Sequence, residues 1–185
     1  MDVTRLAIPD VRLITPVKHG DHRGFFSETY NSQAFAAAGI DANFVQDNQS
    51  LSAEVGTLRG LHFQVPPRAQ AKLLRVIHGA VFDVAVDLRC GSPTYGRHVT
   101  ATISAAAWNQ IYIPAGFAHG FCTLEPDTEV IYKVSDFYAP EAEQGLAWDD
   151  PDLAIAWPAE AGAVVLSARD RTWPRLRDLS RVFQY

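Results

Sequence analysis

Two short segments carry the side chains most able to do chemistry. Arg59-Gly60-Leu61-His62-Phe63-Gln64 sets a guanidinium and an imidazole on an otherwise apolar run. Ile113-Pro114-Ala115-Gly116-Phe117-Ala118-His119-Gly120-Phe121 adds a second imidazole flanked by glycines. An imidazole, with an ordinary pKa of about 6.5, is the natural general base at neutral pH, so the chemistry on offer is proton transfer. Taken alone, His62 between Leu61 and Phe63 equally describes a hydrogen-bonded core histidine. Its company tilts the balance toward chemistry: Gly60 lets backbones approach closely, and Arg59 and Gln64 share the strand.

Three further positions bear on such a site. In Lys72-Leu73-Leu74-Arg75-Val76, strand alternation puts Lys72 on one face with Leu74 and Val76, and Arg75 on the other. A lysine there must meet an anion or snorkel to water, and spacing leaves both open. Tyr132 and Tyr138 have the same parity, so an unbroken strand would point both rings to one side, for packing, proton donation or stacking on a ligand. Asp170, in Leu166-Ser167-Ala168-Arg169-Asp170, is by default a surface aspartate.

The elements that must position these groups read as β-strands. Phe82, Val84, Val86 and Leu88 alternate with Asp83, Ala85, Asp87 and Arg89, as in a half-buried strand. Further runs at Val11–Ile14, Val99–Ser104, Gln110–Pro114 and Val130–Val134 recur between turn signals, which favours a sandwich or closed barrel. Asn31 or Ser32 can cap a short helix ended by Gly39, and the tail from Asp170 to Tyr185 reads as a short turn or helix lying on the sheet. With no linker or low-complexity tract, the 185 residues read as one domain.

Composition excludes several classes. Hydrophobic content of 48% with 20% charged residues is that of a soluble globular protein. No run is long enough to span a bilayer, which argues against a membrane partner. A net charge of −5 argues against nucleic acid but not against a small anionic ligand in a locally positive pocket. Cys90 and Cys122 lack metal-like spacing and read as reduced packing residues of a cytoplasmic protein.

Taken together, the glycine-flanked histidine segments resemble the two half-motifs of the cupin superfamily, which implies an all-β jelly-roll barrel with a few short peripheral helices. Many cupins hold a metal through a histidine pair in the first half-motif. Here Gln64 replaces the second histidine, leaving too few nitrogen ligands beside His62 and His119, so no metal and no cofactor are expected. With Arg23-Gly24-Phe25-Phe26, Val45-Gln46-Asp47-Asn48, Gln70-Ala71-Lys72, Gly91-Ser92-Pro93-Thr94, Tyr132-Lys133 and Leu166–Asp170, the chain resembles the dTDP-4-dehydrorhamnose 3,5-epimerase family over about residues 5–170.

That resemblance implies roles. His62 matches the general base, Asp170 the carboxylate orienting it, Lys72 the stabiliser of an enolate and Tyr132 the opposing proton donor. Substrate contacts fall on Arg23, Glu28, Gln46, Asp47, Asn48, Arg59, Lys72, His119, Tyr138, Glu143 and Arg169. Arg169 stands where the family usually has lysine, and Gln49 where histidine is common. The implied substrate is a dTDP-linked 4-keto-6-deoxyhexose inverted at C3 and C5, and the implied assembly a homodimer, with Phe25-Phe26 too apolar for a free edge. A related enzyme inverting only C3, and a non-catalytic sugar-nucleotide-binding cupin, are the alternatives.

Overall fold

The computed structural model describes residues 1–158 and 163–185. In the N-terminal part, β1 (Asp2–Arg5) and β2 (Arg12–Thr15) precede the hairpin of β3 (His19–Asp21) and β4 (Gly24–Phe26). Helix α1 (Ser32–Ala37) leads to β5 (Gln46–Ser52), β6 (Leu58–Gln64), β7 (Lys72–His78) and β8 (Ala80–Asp87). Then come β9 (Arg89–Cys90), β10 (His98–Ser104), β11 (Gln110–Ile113), β12 (Phe117–Thr123), β13 (Thr128–Val134), β14 (Glu143–Gly145) and β15 (Phe183–Gln184). The Asn31 side chain caps α1 by accepting from the amides of Gln33 and Ala34.

Two antiparallel sheets face each other as a jelly roll. One runs β1-β2-β11-β7-β13-β5, the other β10-β8-β12-β6-β14. Between them pack Leu74, Val76, Ile111 and Val130 from the first sheet and Val81, Ala85, Ile103 and Phe121 from the second. Each sheet is also covered outside. Phe35 and Ile40 of the helical segment pack on Ile14 and Leu73 behind the first. Behind the second, Phe183 joins Leu61, Phe63, Val84 and Val86, with Leu176 and Val182 packed against them. The tail therefore closes the outer face, with a short 3₁₀ turn (Leu176–Asp178) and β15 pairing parallel to β9.

This double covering corrects the half-buried reading of β8. Asp83 and Asp87 are both fully buried, because the face they share with Ala85 looks into the barrel while Val84 and Val86 lie under the tail. Asp87 is held there by Arg89, Ser92 and Thr94. The Tyr132–Tyr138 run is not one strand either, since β13 ends at Val134. Both cysteines are free, and burial pushes the Cys122 thiol up to about 11.

One irregularity sets what the barrel interior receives. Strict alternation would send Arg59 and His62 to opposite faces of β6. Instead His119 pairs with His62 and Phe121 with Arg59, so Gly120 alone opposes Gly60 and Leu61. This bulge turns both polar side chains inward. Gly60 has φ +143°, and a Cβ there would lie 2.5 Å from the Cα of Gly120. Gly60→Ala is therefore expected to lose about 1–3 kcal/mol or more, read as a fall of several degrees in the thermal midpoint. An unchanged midpoint would show that the bulge does not depend on glycine.

Candidate active site

The two sheets leave a cavity of about 290 Å³ at one end of the barrel. The second sheet contributes Arg59 and His62 on β6 and His119 on β12, and the facing sheet Lys72 on β7 and Tyr132 on β13. Glu143 on β14 and the segment Ser167–Asp170 close the side. The cavity continues into a space of about 300 Å³ lined by Gln46, Asn48, Gln64 and Tyr138. His62, Lys72, Tyr132 and Glu143 line both parts.

The bridge between Thr57 and Val165 carries the late segment back against the start of β6, and Asp170 thereby reaches His62. His62 Nε2 lies 2.5 Å from Asp170 Oδ1. The tautomer that donates from Nε2 leaves the base lone pair on Nδ1. Trp173 donates its indole N–H to the same carboxylate oxygen at 3.2 Å, and the Asp170 amide donates to Ser167 Oγ. Burial by itself would raise the Asp170 carboxyl. The hydrogen bond and charge of His62, with the bonds to Ser167 and Trp173, outweigh it and hold the carboxyl below its usual range.

Lys72 donates to the His62 carbonyl at 3.3 Å. Burial brings its ammonium down to about 8, against the opposing pull of Asp83 and Glu143. His119 is buried and its Nε2 sits 2.9 Å from Asp83 Oδ2. Burial lowers its pKa although Asp83 works the other way, which favours the neutral ring. Tyr132 is pushed up mainly by burial, so its phenol keeps its proton and can donate.

Around the rim, Glu143 Oε2 accepts from Tyr138 at 2.6 Å and pairs with Arg169 at 2.7 Å. The Tyr138 amide donates to Gln46 Oε1, and Gln46 donates to Asn48 Oδ1. Arg59 is fixed by Ser52 Oγ and the Leu51 carbonyl. Gln64 spends its amide on the backbone of Arg68, Phe137 and Ala139, clamping the chain after β13. Among the described residues no three of His, Cys, Asp and Glu gather as a metal-ligand set.

Of the expected set, the chain thus gathers His62, Asp170, Lys72, Tyr132, Gln46, Asn48, Arg59, His119, Tyr138, Glu143 and Arg169 at one cleft. Three residues lie apart. Arg23 is exposed on the β3–β4 hairpin and paired with Asp21, and Glu28 is exposed beyond it. Asp47, opposite in parity to Gln46 and Asn48, points to the outer face and pairs with Lys133 at 2.9 Å. Conversely, Asp83 and Trp173 belong to the site without having been singled out. An acid within a Val-rich strand was a usable signal for Asp83; none marked Trp173.

The family model described as dTDP-4-dehydrorhamnose 3,5-epimerase matches residues 5–178. A protein of that name from Pseudomonas aeruginosa is 55% identical over 92% of this chain and 93% of its own. One from Sinorhizobium fredii is 52% identical, covering 97% of this chain and 92% of its own. The crystal structure of dTDP-6-deoxy-D-glucose-3,5-epimerase from Legionella pneumophila, in complex with dTDP-4-keto-L-rhamnose, superposes with a TM-score of 0.93 at 40% identity. It covers 100% of this chain and 98% of that one. With family, fold and a proton-transfer cleft in agreement, this chain belongs to the dTDP-4-dehydrorhamnose 3,5-epimerase family.

Proposed function

We propose that the protein inverts C3 and C5 of dTDP-4-dehydro-6-deoxy-D-glucose to give dTDP-4-dehydro-L-rhamnose. The observation that carries this reading is the placement of a carboxylate-held imidazole and a protonated phenol on facing sheets of one cleft, with a cationic lysine lining it. Facing sheets lie about 10 Å apart, room for one hexose ring between the two groups.

The chemistry follows from the substrate. C3 and C5 both adjoin the C4 ketone, so their protons are the removable ones. His62 takes the proton, Asp170 stabilises the resulting imidazolium, and Lys72 meets the charge developing on the ketone oxygen. One preorganised donor of this kind supplies roughly 3–4 kcal/mol. Tyr132 returns a proton from the opposite face, which inverts the centre. Arg59 meets the diphosphate, and the exposed ring of Tyr138 offers a stacking face to the thymine.

The whole chain acts as one domain in this reading, in the cytoplasm. It acts as a homodimer. Phe25 and Phe26 stand 53% and 70% exposed on the β3–β4 hairpin, an apolar surface that a second copy would cover. The same hairpin carries Arg23, with Glu28 just beyond it, and both lie outside their own chain's cleft. Pairing of two copies would let those side chains serve the partner's cleft.

Three outcomes test the mechanism. In D₂O the wild type is expected to place deuterium at both C3 and C5, whereas a single-site enzyme would label C3 alone. His62→Ala should lose about 10²–10⁴-fold in kcat and both exchanges while retaining dTDP; wild-type exchange in this variant would sink the mechanism. Tyr132→Phe should still exchange the C3 proton but return it without inversion, seen by NMR of the product mixture.

The lysine gives a pH signature. Its ammonium is needed for the enolate, so kcat should fall as pH rises through about 8, and Lys72→Arg should move that limb upward. Its contribution to stability runs the other way. The native pKa lies below the ordinary 10.5, so between about 8 and 10.5 the unfolded chain binds more protons and stability rises with pH. Denaturant melts across that window should show Lys72→Met losing the rise.

A further inference from the structure

The mechanism leaves unexplained a tryptophan in the C-terminal tail. Trp173 lies against Gly145, the β14 residue paired with His62. A Cβ on Gly145 would fall 2.3 Å from the Cδ2 and Cε2 atoms of the indole, so the ring occupies the space that any other residue would fill. Next to it, the Ala147 amide donates to the Pro174 carbonyl at 2.8 Å, tying the tail to the chain beyond β14. Seated there, the indole meets three parts of the cleft. Its N–H reaches Asp170 Oδ1, the oxygen that also faces His62 Nε2. Its ring meets the His62 imidazole edge to face, with centroids 6.0 Å apart. Its π-face receives the Arg169 guanidinium at 4.9 Å, while Arg169 reaches Glu143.

We propose that Trp173 is a positioning residue for proton abstraction: by sharing one carboxylate oxygen with His62, the indole N–H fixes the rotamer of Asp170 and limits how strongly that carboxylate holds a proton on the imidazole. The argument is electrostatic. A carboxylate that already accepts an indole hydrogen bond is a weaker acceptor for the imidazolium, so it holds the abstracted proton on His62 less firmly. Planar stacking on the indole also suits a guanidinium better than an ammonium, which ties Arg169 to the same residue.

His62 is also faced by Lys72 from β7, His119 from β12 with Asp83 behind it on β8, and Tyr132 from β13. Arg59 on its own strand, Glu143 on β14 and Arg169 complete the charged surroundings. Replacing Trp173 by phenylalanine leaves each of these titratable groups in the chain. It keeps an aromatic ring over Gly145 and removes the N–H, together with the wider indole face on which Arg169 stacks.

The role rests on His62 being the base, and the test separates the two ideas. The His62 imidazole is titrated by ¹H–¹⁵N NMR, assigned by its loss in His62→Asn, in the wild type and in Trp173→Phe. The expected result is a His62 midpoint about half a unit higher in Trp173→Phe. It should be accompanied by about tenfold lower kcat, a matching upward move of the acid limb of kcat/KM and a near-native thermal midpoint. Gly145→Ala, which keeps the indole but displaces it, should move the midpoint the same way and decides the matter if Trp173→Phe does not fold. An unmoved His62 midpoint overturns the proposal, whatever happens to kcat, because a packing role alone predicts that result. A wild type without epimerase activity would sink the functional reading and still leave the titration to judge Trp173.

Discussion

The hydrogen bond between His62 and Asp170 joins residues 108 positions apart and rests on most of the architecture described above. One partner sits on a bulged strand inside the barrel. The other sits in a late segment that returns to the start of that strand through the Thr57–Val165 bridge. Holding them together requires the tail to stay docked on the outer face of the second sheet, where Phe183 packs with Leu61 and Phe63. The apolar packing behind the sheet therefore maintains the polar contact in front of it.

The cleft is the part of the intersheet space where charge replaces hydrocarbon. Isolated buried charges are costly, and here the carboxylates are each answered: Asp170 by His62, Asp83 by His119, and Glu143 by Arg169. Lys72 is the exception. Burial lowers its pKa, and the backbone carbonyl it donates to, with Asp83 and Glu143 at longer range, does not make up the loss. A cation short of a partner suits a site where negative charge develops during reaction. Asp83 Oδ1, without a hydrogen-bond partner among the described residues, lies on the interior face of β8.

Local backbone devices decide which side chains enter the cleft. At Gly60 a bulge brings Arg59 onto the face of His62, and at Gly145 the missing Cβ makes room for Trp173. On β5 plain alternation does the sorting, with Gln46 and Asn48 toward the cleft and Asp47 toward Lys133 on the outside. Arg169 sets a positive charge against Glu143 and presents a flat surface that stacks on Trp173.

Much was legible from the chain alone. Period-two alternation marked the strands and Asn31 the helix start, because these are short-range properties, while the resemblance to the epimerase family singled out His62, His119, Lys72 and Tyr132 for the cleft. Other features were decided only on folding. Burial of Asp83 and Asp87 depended on the first sheet closing over the inner face of β8, burial of Val84 and Val86 on a tail almost a hundred residues later, and the face shown by Arg59 on Gly120 of a different strand. The joining of Trp173 to Asp170 and His62 left no trace in spacing. Contacts between distant segments are set by sheet register and by which surfaces need covering, and neither quantity is written in any single stretch of sequence.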